Sequence, residues 1–151
     1  MTVFNIDYRH LARSLALQAL YELDCTNHPV ADVLTERLAP DDIPEKTRHL
    51  ATRLVQGVLE RREDLDVLIH RYAPEWPLDQ IAAIDRNILR LAIFELSAES
   101  DAPVKVVINE AVELAKTFGA ESTPRFINGV LGTLATRETE LHLASIVNDQ
   151  E

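Results

Sequence analysis

The chain has a single cysteine, Cys25, so no disulfide can form within it. That residue reads as packing near the end of a first helix rather than as a catalytic thiol. Glycine is scarce, 4 in 151 residues, while 46% of the chain is hydrophobic, which excludes a disordered chain and points to a folded core. No apolar run approaches the roughly 18 residues that span a bilayer, so no membrane partner is expected. The N-terminus, MTVFNIDYRHLAR, has no basic region leading into an apolar stretch, which excludes a secretory signal and makes a cytoplasmic location the expectation. Basic residues are outnumbered, 15 Lys and Arg against 25 Asp and Glu, for a net charge of −10. Such a chain repels polyanions at long range. Any RNA contact must therefore be a local basic patch, and a basic protein suits the overall charge better.

Recognisable catalytic chemistry is missing too. The histidines at 10, 28, 49, 70 and 142 form no ligand spacing with the cysteine, and no HExxH occurs. There is no phosphate loop, no dinucleotide fingerprint and no GxSxG. Neither a metal nor a cofactor is expected, and the chain reads as a binding protein, not an enzyme.

Helical periodicity is what the chain does have, and it makes the fold class all-α. A first helix is expected from Asn5 or Asp7 to Asp24, with Leu11, Leu15, Leu17, Ala19, Leu20 and Leu23 inward. Pro29 opens a short helix to Ala39, and a long one runs from Pro44 to Tyr72. PEWP at 74–77 breaks the chain into halves of about 1–73 and 78–140, with 141–151 a tail open to fraying. Leu78 to Ala83 suits one turn. A central helix then spans Asp85, a candidate cap, to Ser100, and Glu95 near its inner face calls for a partner such as an arginine.

The stretch PVKVVINEAVELAKTFGAESTPRFINGVLG, 103–132, reads as helix, stop and second helix. Asp101 stands ahead of it as a capping acid, Gly119 as a left-handed stop, Thr123 as the next cap, and Pro124 as the first residue of the last helix. Gly129 and Gly132, one turn apart, are expected to let another backbone come close. Asn109 and Asn128 suit local hydrogen bonding. Phe126 suits either a core ring or an exposed contact. Arg9, His10 and Arg13 crowd the first helix's N-terminal end, where cations oppose the dipole. They read either as solvated surface or, with free N–H groups, as a phosphate site.

Three blocks together carry a resemblance: ARSLALQALY at 12–21, IDRNILRLAIFEL at 84–96, and INEAVELAKTFG followed by PRFINGVLG at 108–132. In order and spacing they closely resemble the NusB family of bacterial transcription antitermination factors. The resemblance implies two perpendicular helical subdomains sharing a core. It implies binding of single-stranded boxA RNA jointly with NusE, a small-subunit ribosomal protein, and service to the transcription elongation complex in ribosomal RNA operons. Carried over by position, it implies RNA contacts at Arg9, His10, Arg13, Tyr21, Lys116, Arg125 and Phe126. It implies NusE contacts at Asp79, Asp85, Glu121 and Ser122, and leaves monomer and homodimer both open. The front end departs from the family's frequent dense arginine run: DYRHLAR has two arginines, so NusE is expected to contribute more of the RNA affinity. The RNA-recognition domain of a ribosomal RNA cytosine methyltransferase shares this fold, but that enzyme needs an α/β cofactor domain not found in these residues.

Overall fold

Asp7 starts the first helix, α1 (Tyr8–Cys25): its carboxylate accepts the Arg9 N–H at 3.0 Å, satisfying one of the donors that a first turn leaves free. At the other end Thr26 Oγ1 donates to the Glu22 carbonyl at 2.7 Å. Helices α2 (Val30–Arg37), α3 (Glu45–Tyr72) and α5 (Val104–Phe118) each follow a proline cap: Pro29, Pro44 and Pro103, at φ −65°, −62° and −59°. Proline costs little there, because the N–H it lacks would have no helical partner. A short 3-10 turn (Leu78–Gln80) leads into α4 (Ala83–Ser97), and the chain closes with α6 (Thr123–Asp149). This computed structural model describes residues 7–97 and 102–149, with side chains as far as Glu138. Every regular element among the described residues is helical. The capping role expected of Asp101 and the helix end expected at Ser100 fall outside the described residues. The backbone of the expected tail is helical as far as Asp149.

Helix α4 is the axle of the molecule, packing against α1, α3, α5 and α6. One continuous apolar cluster runs from Leu17 and Leu20 of α1 through Val55 and Ile69 of α3 and Ile88 and Leu91 of α4 to Ala115 of α5 and Ile127 and Leu131 of α6. Burying each large side chain of this cluster contributes about 1.5–3 kcal/mol. At the far end of α3, Arg71 Nη1 and the Tyr72 hydroxyl both donate to Glu138 of α6, at 2.6 and 2.8 Å.

Several expectations change in three dimensions. The buried side of α1 is formed by Ala12, Ala16, Leu17, Ala19 and Leu20, while Leu11, Leu15 and Leu23 are only half-buried. Alanines at the contact let α3 come close, which larger side chains would prevent. Gly119 is no left-handed stop: its φ and ψ are −92° and −177°, ordinary extended backbone. Glycine is needed there for space, since a Cβ would stand 2.6 Å from the Thr123 side chain. Gly129 and Gly132 approach no other backbone; a Cβ at either meets nothing within 4 Å. The close approach lies instead at Gly57 of α3, where the Phe94 ring of α4 occupies the space a Cβ would need. Cys25 is exposed rather than packed. Asp85 sits in the first turn of α4, past the cap position.

Candidate nucleic-acid interface

The N-terminal half of α1 carries three cationic or potentially cationic groups, and the fold treats each differently. Arg9 is exposed, with its guanidinium 5.3 Å from the centre of the Tyr8 ring. His10 Nδ1 lies 2.7 Å from the Glu110 carboxylate of α5. Arg13 points inward: it is 3% exposed, and its Nε and Nη2 donate to the two Glu95 oxygens at 2.8 and 2.9 Å. Burial works against the Arg13 cation, but the hydrogen bonds and charge of Glu95 outweigh it and hold its pKa above the ordinary value. Arg13 is therefore the arginine that Glu95 was expected to need. The sequence reading has this residue as an RNA contact; the structure instead buries it, with Nε and Nη2 turned to Glu95.

Beside this end of α1 a cleft of about 870 Å³ opens against the first half of α3. Lys46, Arg48 and Arg53 of α3 line it with Tyr8 and Arg9 of α1, and the Arg13–Glu95 pair lies at its edge. Arg48 is held in place: its Nε and Nη2 donate to the carbonyls of Leu38 and Pro40 at 2.8 and 2.7 Å, and Nη1 is 3.5 Å from Glu45. From the sequence only the bounds of this helix are read, and neither Lys46 nor Arg53 is singled out. Their separation of seven residues, two helical turns, was the available signal, since it puts both on one face.

The other candidate residues collect at the opposite end of α1, roughly 18 Å from Arg9 by helical rise. The first turn of α4 ties that end together. Asp24 of α1 accepts from Arg86 Nε and Nη2 at 2.9 and 2.7 Å, from Asn87 at 2.9 Å and from Arg90 at 3.2 Å. Arg90 also clasps Asp66 of α3 at 2.7 and 3.0 Å. Burial would raise the pKa of Asp24, but the Arg86 and Asn87 bonds and the neighbouring guanidinium charges hold it below the usual carboxylate value. One residue earlier on α4, Asp85 accepts from Thr123 Oγ1 of α6 at 3.0 Å, and Thr123 Oγ1 accepts the Ala120 N–H at 2.9 Å. Burial raises the Asp85 pKa, with the Thr123 bond opposing it.

Tyr21, one turn before Asp24, is 43% exposed. Phe126, one turn into α6 from Thr123, is half-buried and packs against the core cluster, which makes it part core ring and part surface. Arg125 is exposed, and Lys116 pairs with Glu113 at 3.1 Å on the surface. Asp79, Glu121 and Ser122 are exposed, whereas Asp85 is turned inward to Thr123. Among the described residues no group of histidine, cysteine and carboxylate side chains could hold a metal ion, and no helix is long and apolar enough to cross a membrane.

Comparison with known proteins bears on this arrangement. Residues 10–136 match the model of the NusB family. The transcription antitermination protein NusB of Roseiflexus castenholzii is 45% identical over 134 residues, covering 87% of this chain and 94% of the relative. That of Dehalococcoides mccartyi strain CBDB1 is 46% identical over 143 residues, covering 95% and 96%. The structure resembles T. maritima NusB with a TM-score of 0.80 at 35% identity, covering 85% of this chain and 91% of that one. It also resembles a chain from a crystal structure of antitermination factors NusB and NusE in complex with dsRNA, with a TM-score of 0.75 at 25% identity, covering 87% and 98%.

Proposed function

The chain belongs to the NusB family, and from that premise we propose that it is an RNA-binding transcription antitermination factor. It binds boxA-type RNA jointly with NusE and supports read-through by the transcription elongation complex in ribosomal RNA operons. It works in the cytoplasm as a binding factor, without catalysis. The observation that carries this reading is the match over residues 10–136, which takes in α1 from His10 onward and the α5–α6 turn.

The geometry supports a division of labour. Arg9 and His10 at one end of α1, and Arg125 and Lys116 near the other, neutralise phosphates. Tyr21, one turn before Asp24, and Phe126, one turn after Thr123, stack on bases. Stacking requires unstacked bases, so the RNA bound here is single-stranded, and each stacked base contributes about 1–3 kcal/mol. Exposed Asp79, Glu121 and Ser122 form the side that meets basic NusE. Asp85 supports that side from beneath by fixing the start of α6.

The test is titration of boxA-type RNA with the chain, with and without NusE. Binding that NusE strengthens, and that Phe126→Ala weakens in a protein that still melts like the parent, supports the assignment. Indifference to NusE refutes the joint recognition, and indifference to Phe126→Ala refutes the stacking role.

A further inference from the structure

The cleft between α1 and α3 concentrates positive charge on an acidic molecule. Five cationic side chains line it, Arg9, Arg13, Lys46, Arg48 and Arg53, against the two carboxylates Glu45 and Glu95. Both carboxylates are engaged: Glu95 by Arg13 at 2.8 Å, Glu45 by Arg48 at 3.5 Å. Arg13 and Arg48 are committed to these and to backbone carbonyls. What remains is Arg9, Lys46 and Arg53, none of which has a carboxylate partner among the described residues. In a chain with 25 acidic residues, three such cations in one cleft are a local reversal of sign. The Tyr8 ring joins two of them across the gap between helices, with Arg9 5.3 Å and Lys46 5.8 Å from its centre. Both contacts are in the range where a ring face attracts a cation, so Tyr8 positions the α1 and α3 charges side by side before any ligand arrives.

We infer that this cleft holds the sugar–phosphate backbone of single-stranded RNA, with Lys46 and Arg53 extending the phosphate contacts begun by Arg9. The inference rests on the RNA-binding reading above and adds α3 to it. Arg9 belongs to both surfaces, which makes the cleft continuous with the face of α1 already assigned to RNA. Cations without carboxylate partners suit a backbone contact that carries no sequence information: they set register and affinity, while the rings at the other end of α1 meet the bases. An acidic peptide is the competing occupant.

The experiment uses the full chain with boxA-type RNA and NusE, and compares the parent, the double variant Lys46→Gln/Arg53→Gln, and a control, Arg61→Gln/Arg62→Gln, which removes equal charge further along α3. For single strands each phosphate contact contributes about −0.7 to the slope of log affinity against log salt. The double variant is expected to bind with a slope shallower by about 1.4, so that a fourfold rise in salt costs the parent about sevenfold more affinity than it costs the variant. The control is expected to keep the parent slope. Equal slopes in parent and double variant overturn the inference while leaving the RNA-binding reading intact. An equal change in the control overturns it too, since the effect is then one of overall charge. Loss of binding to a polyglutamate peptide with unchanged RNA binding assigns the cleft to an acidic peptide and overturns it. A parent that binds no RNA with NusE overturns both readings.

Discussion

Arg13 and Asp85 were both expected to meet partners, and both are turned inward. Arg13 sits 3% exposed against Glu95, so removing it leaves a carboxylate buried and unpaired. Arg13→Ala is expected to cost about 3–5 kcal/mol of stability by denaturant unfolding, whereas Arg13→Met/Glu95→Leu, which removes both charges, should cost far less. A loss of RNA binding in Arg13→Ala would therefore need to be corrected for the unfolded fraction. Asp85 behaves oppositely with pH. Its folded pKa is raised above the unfolded value, so the fold holds the protonated form more tightly; this favours folding at low pH, and the advantage is lost as pH rises through the folded pKa. Asp85→Asn keeps an acceptor for Thr123 and removes the charge. It is expected to melt at or above the parent temperature at pH 7, with the gap closing as pH falls into the carboxylate range. A lower melting temperature at pH 7 would mean that the charge itself stabilises α4.

At the scale of elements, α4 fixes the positions of α1, α3 and α6 through few residues. Asp24 accepts from Arg86, Asn87 and Arg90, and its folded pKa is lowered. A lowered carboxylate contributes stability that is present above its unfolded pKa and lost as pH falls through the folded one. Asp24→Asn is expected to destabilise the chain by about 1–3 kcal/mol at pH 7, with the difference from the parent shrinking below about pH 4. Gly57→Ala would drive a methyl group into the Phe94 ring and is expected to cost about 1–3 kcal/mol by the same measurement. Helices were legible because apolar residues recur at 3.6-residue spacing and prolines mark three starts. The Glu95 partner was legible because a carboxylate on a buried face requires a cation. What stayed hidden depended on contacts between elements. Nothing local distinguishes Gly57, pressed by Phe94, from Gly129, which touches nothing. Likewise nothing local separates Arg9, which faces solvent, from Arg13, which faces Glu95. Lys46 and Arg53 gain meaning only when α3 lies beside α1.

Across the whole molecule, a net charge of −10 and a small basic region act at different ranges. On the proposed reading, acidic residues attract basic NusE and repel RNA at a distance, and the proposed contacts of α1, α3 and α6 act only after approach. Asp79→Lys is expected to weaken the NusE complex while leaving the melting temperature within the range of a surface change, about 0.5 kcal/mol. Unchanged NusE affinity would move the partner surface elsewhere. The most direct measurement is the affinity of the parent chain for boxA-type RNA and for a scrambled RNA of the same length, each with and without NusE, across a range of salt. Preference for the boxA-type strand, strengthened by NusE, with a salt slope of about −4 for the six cations assigned to phosphates, is the expected result. Equal affinity for both strands with NusE present, or no binding at low salt, would contradict it.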